Sequence, residues 1–299
     1  MRWLIIPVIV AILVYGAVQW TKPKQKELDL AHIQAHKKRK VIWLLVDSIM
    51  AHAIDKGVQT GELPALSFLI SHGQYYKDLV SSFPTMSVVI DSSYLTGTYP
   101  DQHYVPGLCW YDVREKRIVN YGTGLQEVLN NGMNQSLEDA LINLNQKHLN
   151  PRQPTLYEEL APKKKQTASI NGLVYRGPVE HRLYFPAWIS IPTTMPESFK
   201  VKGPDFFAFG ALSNPLEKKT TLPDGITNDL GFSDKYPLAV TKYLIQHDKL
   251  PDLSLVYLSD MDKSLHKKGP SDMSGIQKFD KELGELLDSF GSWDKPFKK

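Results

Sequence analysis

The sequence predicts an α/β domain with a mostly parallel sheet and helices on both faces of that sheet. Two apolar runs, the unbroken VIWLLV at residues 41–46 and the largely apolar LSLVYLS at 253–259, have the composition of strands that are buried on both faces. Each run is followed by aspartates, and segments with helical spacing lie between the two. This alternation of strands and helices is typical of a parallel sheet covered by helices.

The segments between the two runs complete the pattern. Leu63, Leu66 and Leu69 recur at helical spacing, and Thr155 with Glu158 three residues later has the form of a capping box. We predict helices over Leu63–His72, Val88–Leu95, Thr155–Leu160, Tyr236–His247 and Ile276–Phe290, and a further strand over Ala168–Leu173.

The predicted domain spans residues 41–299. One part of it differs from the rest in composition. The stretch 174–235 is rich in Pro and Gly and shows little periodicity. We expect it to be a loop-rich insertion in the domain.

The N-terminus is strongly apolar. Residues 3–20 contain no charged side chain, and eighteen residues in a helix span roughly 27 Å, close to the thickness of a bilayer core. We predict a single-pass transmembrane anchor or a signal peptide over residues 1–20, with a basic tether over 21–40. A cleaved signal is the alternative, although Tyr15 is a poor residue at the position where cleavage sites carry a small side chain. The lysines after the apolar segment favour a cytoplasmic domain, whereas the chemistry predicted below favours a domain outside the cytoplasm, and we expect the latter.

Charge and cysteine content exclude some classes of protein. The formal net charge is +3, from 35 basic and 32 acidic residues, which is too small an excess to predict nucleic acid binding. Cys109 is the one cysteine of the sequence, so the fold has no internal disulfide and no cysteine pair for zinc.

Acidic residues follow both apolar runs, at Asp47 and at the pair Asp260 and Asp262. Ligands of open α/β sheets bind beyond the carboxyl ends of the strands, where such acids could hold a metal ion. Asp262 is followed four residues later by His266, so that one helical turn would bring a carboxylate and an imidazole to the same face. An aspartate at a strand end is more often a turn former or a helix cap, and that reading stays open for each residue taken alone.

The segment Phe83–Ser87, which reads Phe-Pro-Thr-Met-Ser, places two hydroxyls at a predicted helix start. Such a hydroxyl lies at the positive end of the helix dipole, next to backbone N–H groups that can hold a phosphate. A nearby metal ion would lower the pKa of the hydroxyl and make it a nucleophile. The alternative is that Thr85 or Ser87 only caps the helix.

In this order, the segments resemble the type I phosphodiesterase / nucleotide pyrophosphatase branch of the alkaline phosphatase superfamily. That branch has an apolar strand ending in Asp, matched here at 41–47, and a Phe-Pro-Thr-x-Thr/Ser motif, matched at 83–87. A Thr-Gly-x-Tyr-Pro-x-x-His motif follows and is matched at 96–103. A later strand with Asp-x-x-x-His and Gly-Pro is matched at 253–270.

The resemblance implies an alkaline-phosphatase-like core that hydrolyses a phosphate mono- or diester, in a small molecule or a lipid headgroup. Ser87 would be the nucleophile, with Thr85 as the alternative. Asp47 and Ser87 would bind one divalent metal ion, and Asp262 and His266 would bind a second. Zinc is the expected metal for both.

Two departures from the family pattern lead to further expectations. Nucleotide-cleaving members carry an Asn that donates to the phosphate at the place of Leu108, so a nucleotide is a doubtful substrate. The family also completes its metal sites with a later Asp-His-Gly segment and a further His, which this sequence does not contain. We therefore expect a fragment with an incomplete core at its C-terminus, or a metal site crippled by missing ligands.

Two other hypotheses stay open. A non-catalytic, membrane-anchored relative or fragment could use the same fold as a binding or envelope protein. A related metallohydrolase, such as a sulfatase or a phospholipid-headgroup transferase, is less favoured, because no Arg follows Ser87 at the spacing that classical sulfatases use.

Overall fold

The structure, a computed structural model, describes residues 39–122, 132–185, 190 and 195–297. The predicted anchor and nearly all of the predicted tether lie outside these residues. Within them, no helix is both long enough and apolar enough to cross a bilayer.

In the described part of the chain, eight strands form one parallel sheet and two antiparallel pairs. In chain order they are β1 (Val41–Val46), β2 (Cys109–Asp112), β3 (Arg117–Asn120), β4 (Thr167–Ile170), β5 (Val179–Tyr184), β6 (Ser198–Gly203), β7 (Phe206–Ala208) and β8 (Leu253–Leu258). The central sheet has the order β1-β8-β4-β7 and is parallel throughout, whereas β2 pairs with β3 and β5 with β6 in antiparallel fashion. The predicted parallel sheet is confirmed, and the two apolar runs seen in the sequence are neighbours in it.

Seven of the helices in the described residues lie between strands in sequence, and two follow β8. They are α1 (Ala51–Thr60), α2 (Pro64–His72), α3 (Ser87–Thr96), α4 (Pro100–His103), α5 (Met133–Glu138), α6 (Leu156–Leu160), α7 (Lys235–Gln246), α8 (Asp260–Lys268) and α9 (Ser274–Asp288). A π-helix, Asp139–His148, continues α5, and short 3₁₀ turns occupy Ala161–Lys163, Ile226–Gly231 and Lys295–Phe297.

Helices cover both faces of the sheet, as predicted. On β8, Val256 and Leu258 pack into a core with α1, α2, α7 and α9, whereas Leu255 and Tyr257 pack into a second core with α3 and the π-helix. Successive side chains of a strand point to opposite faces, so a strand buried on both faces is apolar without interruption. This explains why β1 is apolar throughout and why β8 is apolar except for the small, buried Ser254.

The stretch 174–235 contains more regular structure than the loop-rich insertion that its composition predicts. Three strands lie in it, β5, β6 and β7, and β7 extends the central sheet next to β4. β7 has only three residues, all buried. A strand that short shows no periodicity, and for this reason the pattern of the sequence did not reveal it.

Candidate active site

The predicted site residues meet at the carboxyl edge of the central sheet. Asp47 directly follows β1, and Asp262 lies in the first turn of α8, which begins two residues after β8. The two strands are paired in register, with Val46 opposite Leu258. Both carboxylates therefore reach the edge where ligands of parallel sheets bind.

Ser87 is held against the first of these carboxylates. It is the first residue of α3, after the N-cap residue Met86. Its Oγ donates a hydrogen bond of 2.8 Å to Oδ2 of Asp47. The positive end of the helix dipole and the free N–H groups of the first turn face the same region, which suits a bound anion. The hydroxyl of Ser87 therefore lies next to a proton acceptor, Asp47, and next to a helix N-terminus that suits an anion.

Asp262 is held by two neighbours. The hydroxyl of Ser48 donates to Oδ1 of Asp262 at 2.6 Å, and Nε2 of His266 lies 3.4 Å from the same oxygen. Ser48 has a left-handed backbone conformation, with φ of 63°, which turns the chain sharply after Asp47. Because Ser48 directly follows Asp47 in sequence, its hydrogen bond to Asp262 ties the positions of the Asp47 and Asp262 carboxylates together. The imidazole of His266 is 80% exposed, so it lies at the rim of the site.

Thr85, the alternative nucleophile, is exposed and lines the wider part of the cleft described below. Among the described contacts it makes no hydrogen bond to Asp47, whereas Ser87 does. The geometry therefore places Ser87, and not Thr85, in contact with a group that can accept its proton.

Two residues at the site were missed by the sequence analysis, Tyr257 and Asp91. The hydroxyl of Tyr257 donates a short hydrogen bond to Oδ2 of Asp47, the oxygen that also accepts from Ser87. Asp91 lies one helical turn after Ser87 and is 5% exposed, and its Oδ2 has no partner among the described residues. Both are polar groups that the fold buries, and no local pattern of the sequence identifies the partner that such a group needs from elsewhere in the fold.

Burial and like charges set the pKa values of this pair. Burial, followed by the charge of Asp47, raises the pKa of Asp91 well above its usual range. Burial also raises the pKa of Tyr257, with further contributions from the charges of Asp91 and Asp47. Both shifts favour the protonated form of the group, and the phenol donates its hydrogen to Asp47 in the bond described above.

The site opens into a cleft of about 890 Å³, whose walls include Tyr75, Leu79 and Met86. A smaller pocket of about 200 Å³ lies against the π-helix. Asp47, Ser87, Leu108, Tyr257 and Asp262 line both spaces. Where nucleotide-cleaving relatives are expected to carry an Asn donor, this chain presents the apolar side chain of Leu108.

The donors present do not by themselves fit the predicted pair of zinc ions. In the described part of the chain, no group of three or more His, Cys, Asp and Glu side chains is placed to hold a metal ion. Asp47 with Ser87, and Asp262 with His266, give two donors to each half of the predicted centre. Zinc sites in proteins have at least three protein ligands.

Comparison with known families identifies what the chain is similar to. The sequence profile described as "Type I phosphodiesterase / nucleotide pyrophosphatase" matches residues 41–292, which cover the whole sheet and the carboxyl edge described above. No curated protein sequence matches the chain.

Solved structures share the fold. Murine ectonucleotide pyrophosphatase / phosphodiesterase 5, as an inactive variant in complex with AMP, superimposes with a TM-score of 0.54 at 14% identity, over 85% of this chain and 53% of that protein. The human counterpart gives a TM-score of 0.52 at 14% identity, over 85% and 52%. Phosphonoacetate hydrolase from Sinorhizobium meliloti 1021, in complex with phosphonoformate, gives 0.51 at 18% identity, over 85% and 54%. The chain thus spans about half the length of these structures.

Proposed function

The chain belongs to the type I phosphodiesterase / nucleotide pyrophosphatase family, in the alkaline phosphatase superfamily, and we propose that it hydrolyses phosphate mono- or diesters with Ser87 as the nucleophile. The observation that supports this proposal most is the hydrogen bond of 2.8 Å from Ser87 Oγ to Asp47 Oδ2 at the N-terminus of α3. It joins a nucleophile, a proton acceptor and an anion site in one place.

The proposed reaction has two steps. Ser87 Oγ attacks the phosphorus, the Ser87 proton passes to Asp47, and the bond from phosphorus to the leaving oxygen breaks as that oxygen takes up the proton and departs as an alcohol. Water then attacks the phosphoserine and gives one of its protons, through Asp47, to Ser87 Oγ as phosphate or a phosphomonoester departs. The dipole and N–H groups of α3 would hold the phosphoryl oxygens during both steps.

Electrostatics favours a cation at the site during this reaction. The substrate is an anion, and Asp47 and Asp262 both present carboxylates to it. Lys263 lines the smaller pocket, but its ammonium is already 3.4 Å from Asp229 and 3.5 Å from Asp260. Dependence on metal ions is a general property of this family, and bound divalent ions would supply charge stabilisation of the phosphoryl oxygens. Two such ions, with zinc as the expected metal, remain a prediction, because each half of the centre has two donors among the described residues.

The substrate that we propose is a small phosphate ester or a lipid headgroup. The relatives above were solved with AMP and with phosphonoformate, each of which carries a phosphoryl or phosphonyl group. In this chain the cleft of about 890 Å³ is much larger than a phosphate group needs, and Leu108 offers no side-chain donor to it. The volume leaves room for a large substituent on the phosphate, and the missing donor at Leu108 disfavours a nucleotide as that substituent.

The test is hydrolysis of bis-p-nitrophenyl phosphate by the full chain, measured with and without added Zn²⁺, for wild type, Ser87→Ala and Thr85→Ala. We expect the Ser87→Ala chain to lose all turnover above background, because the attacking oxygen is gone. We expect Thr85→Ala, which removes an exposed hydroxyl of the same motif, to keep most of it. Acid quenching followed by mass spectrometry should find the phosphoryl group on Ser87. Unchanged turnover by Ser87→Ala would refute the assignment.

A binding protein is the second candidate, because the described residues give each half of the predicted metal centre only two donors. A non-catalytic relative would bind phosphate esters without cleaving them. Isothermal titration with inorganic phosphate, at saturating Zn²⁺, distinguishes the two. Binding without turnover and without phosphoserine in the wild type would favour this candidate over the hydrolase.

A further inference from the structure

We propose that Tyr257 is a positioning residue that fixes the Asp47 carboxylate as the hydrogen-bond acceptor of Ser87. This inference rests on the proposed function, in which Ser87 is the nucleophile. It is carried by two hydrogen bonds that end on one oxygen: Ser87 Oγ and the phenol of Tyr257 both donate to Asp47 Oδ2.

The two bonds restrict how the carboxylate can move. A carboxylate oxygen has two lone pairs, and here one is used by each donor. A rotation of the Asp47 side chain would break both hydrogen bonds together. With the phenol removed, only the bond to Ser87 would oppose rotation, and the hydroxyl of Ser87 would share that freedom. The phenol therefore restricts Asp47 to the side-chain conformation in which its Oδ2 can accept the hydrogen bond from Ser87.

Tyr257 is itself held firmly enough to serve as this reference point. It lies in β8, where its backbone pairs with Leu45 of β1 and its ring packs in the core beneath α3. The side chain is 8% exposed, so its hydroxyl has little access to water and Asp47 is its partner. A strand of the central sheet thus supports the acceptor of the nucleophile.

The hydrogen bond of the phenol distinguishes this role from substrate binding. Tyr257 lines the cleft and the smaller pocket, but its hydroxyl is engaged by Asp47. A residue that acts only through Asp47 should change the rate of the chemical step more than the affinity for substrate. Tyr257→Phe is then expected to lower kcat by about 10- to 100-fold, the range for loss of a hydrogen bond to a charged group, with KM within about twofold of wild type.

The chain contains a matched control in Tyr121. Its ring is 7% exposed, it lines the same smaller pocket as Tyr257, and its hydroxyl bonds to Nδ1 of His148 at 2.8 Å. Tyr121→Phe therefore removes a buried phenol hydroxyl beside the pocket without removing a bond to Asp47. We expect this variant to keep kcat within about threefold of wild type. Thermal unfolding of both variants shows whether either substitution acts through loss of the fold.

The experiment combines steady-state hydrolysis of bis-p-nitrophenyl phosphate with crystal structures of the full chain as wild type and as Tyr257→Phe. The proposal expects the distance from Ser87 Oγ to Asp47 Oδ2 to lengthen, or the carboxylate to rotate, in the variant. Equal falls in kcat for Tyr257→Phe and Tyr121→Phe, or a rise in KM alone, would overturn it. An unchanged Ser87–Asp47 bond in the variant structure would also overturn it. If the wild type shows no turnover, the proposed function fails, while the pair of structures still decides the role of Tyr257.

Discussion

Replacing Asp91 by asparagine should change how the stability of the domain depends on pH. Burial and the charge of Asp47 raise the pKa of this carboxyl, and its Oδ2 has no partner among the described residues. In the unfolded chain the same carboxyl has an ordinary pKa of about 4. Over the pH range between these two values, the folded chain keeps a proton that the unfolded chain has lost.

The sign and the size of the effect follow from this proton. Because the folded state binds one proton more, raising the pH through this range favours the unfolded state. The loss for one proton is about 1.4 kcal/mol of unfolding free energy per pH unit. The D91N chain has no proton to lose here. Its free energy of unfolding should therefore exceed that of wild type by a margin that vanishes as the pH falls toward about 4, grows by about 1.4 kcal/mol per pH unit above that, and levels off once the pH passes the raised pKa of folded Asp91.

Urea unfolding followed by tryptophan fluorescence, at intervals from about pH 4.5 to about pH 8, measures this margin. Asp112→Asn is a control of opposite sign. Burial acts to raise the pKa of Asp112, but hydrogen bonds from the amides of Glu115 and Arg114 hold it below its usual range. That carboxylate stabilises the fold above its unfolded pKa, and the contribution is lost as the pH falls through its folded pKa, so D112N should be the less stable chain at neutral pH. A constant margin between D91N and wild type at every pH would refute the account of Asp91.

Two further predictions concern other parts of the chain. A Cβ at Gly177 would lie 2.4 Å from the backbone of Gly203, so Gly177→Ala should lower the free energy of unfolding, measured in urea, by about 1–3 kcal/mol. Gly225 has open space around it, so Gly225→Ala should be nearly neutral. Equal stability of the two variants would contradict the packing described. We also propose that residues 3–20 hold the protein in the cell membrane by a single span, with the domain outside the cytoplasm. Deletion of residues 1–38 should then move the protein from the membrane fraction to the supernatant. Protease added to intact cells should cleave the full chain and leave the deleted one intact.

The elements predicted best are those whose sequence carries a complete local signal. β1 and β8 begin and end within one residue of the apolar segments, because both strands pack against cores on both faces of the sheet and Ser254 is their one small polar residue. The capping box at Thr155 is formed, with the Glu158 amide donating to Oγ1 of Thr155 at 3.3 Å and Oε2 of Glu158 accepting from the Thr155 amide at 2.8 Å. In these places neighbours in sequence determine the structure.

Local sequence patterns do not reveal the contacts between the residues of the site. Motifs identify Asp47, Ser87 and Asp262 as candidates, but no local pattern reveals that Ser48 bonds to Asp262 or that Tyr257 bonds to Asp47. Those pairs lie 214 and 210 residues apart in the chain and meet only because β1 and β8 are neighbours in the sheet. β7 was missed for the related reason that three buried residues derive their conformation from the strand beside them.

The paired ends of β1 and β8 have a consequence for how this protein can vary. Main-chain hydrogen bonds align Val46 with Leu258, and Asp47 and Asp262 follow within four residues of this aligned pair. One residue inserted into either strand would advance its end by about 3.3 Å and turn every later side chain of that strand to the opposite face. The separation between the two carboxylates is thus built into the backbone, so that natural insertions and engineered changes of length will be tolerated in the loops around the cleft and not in these two strands.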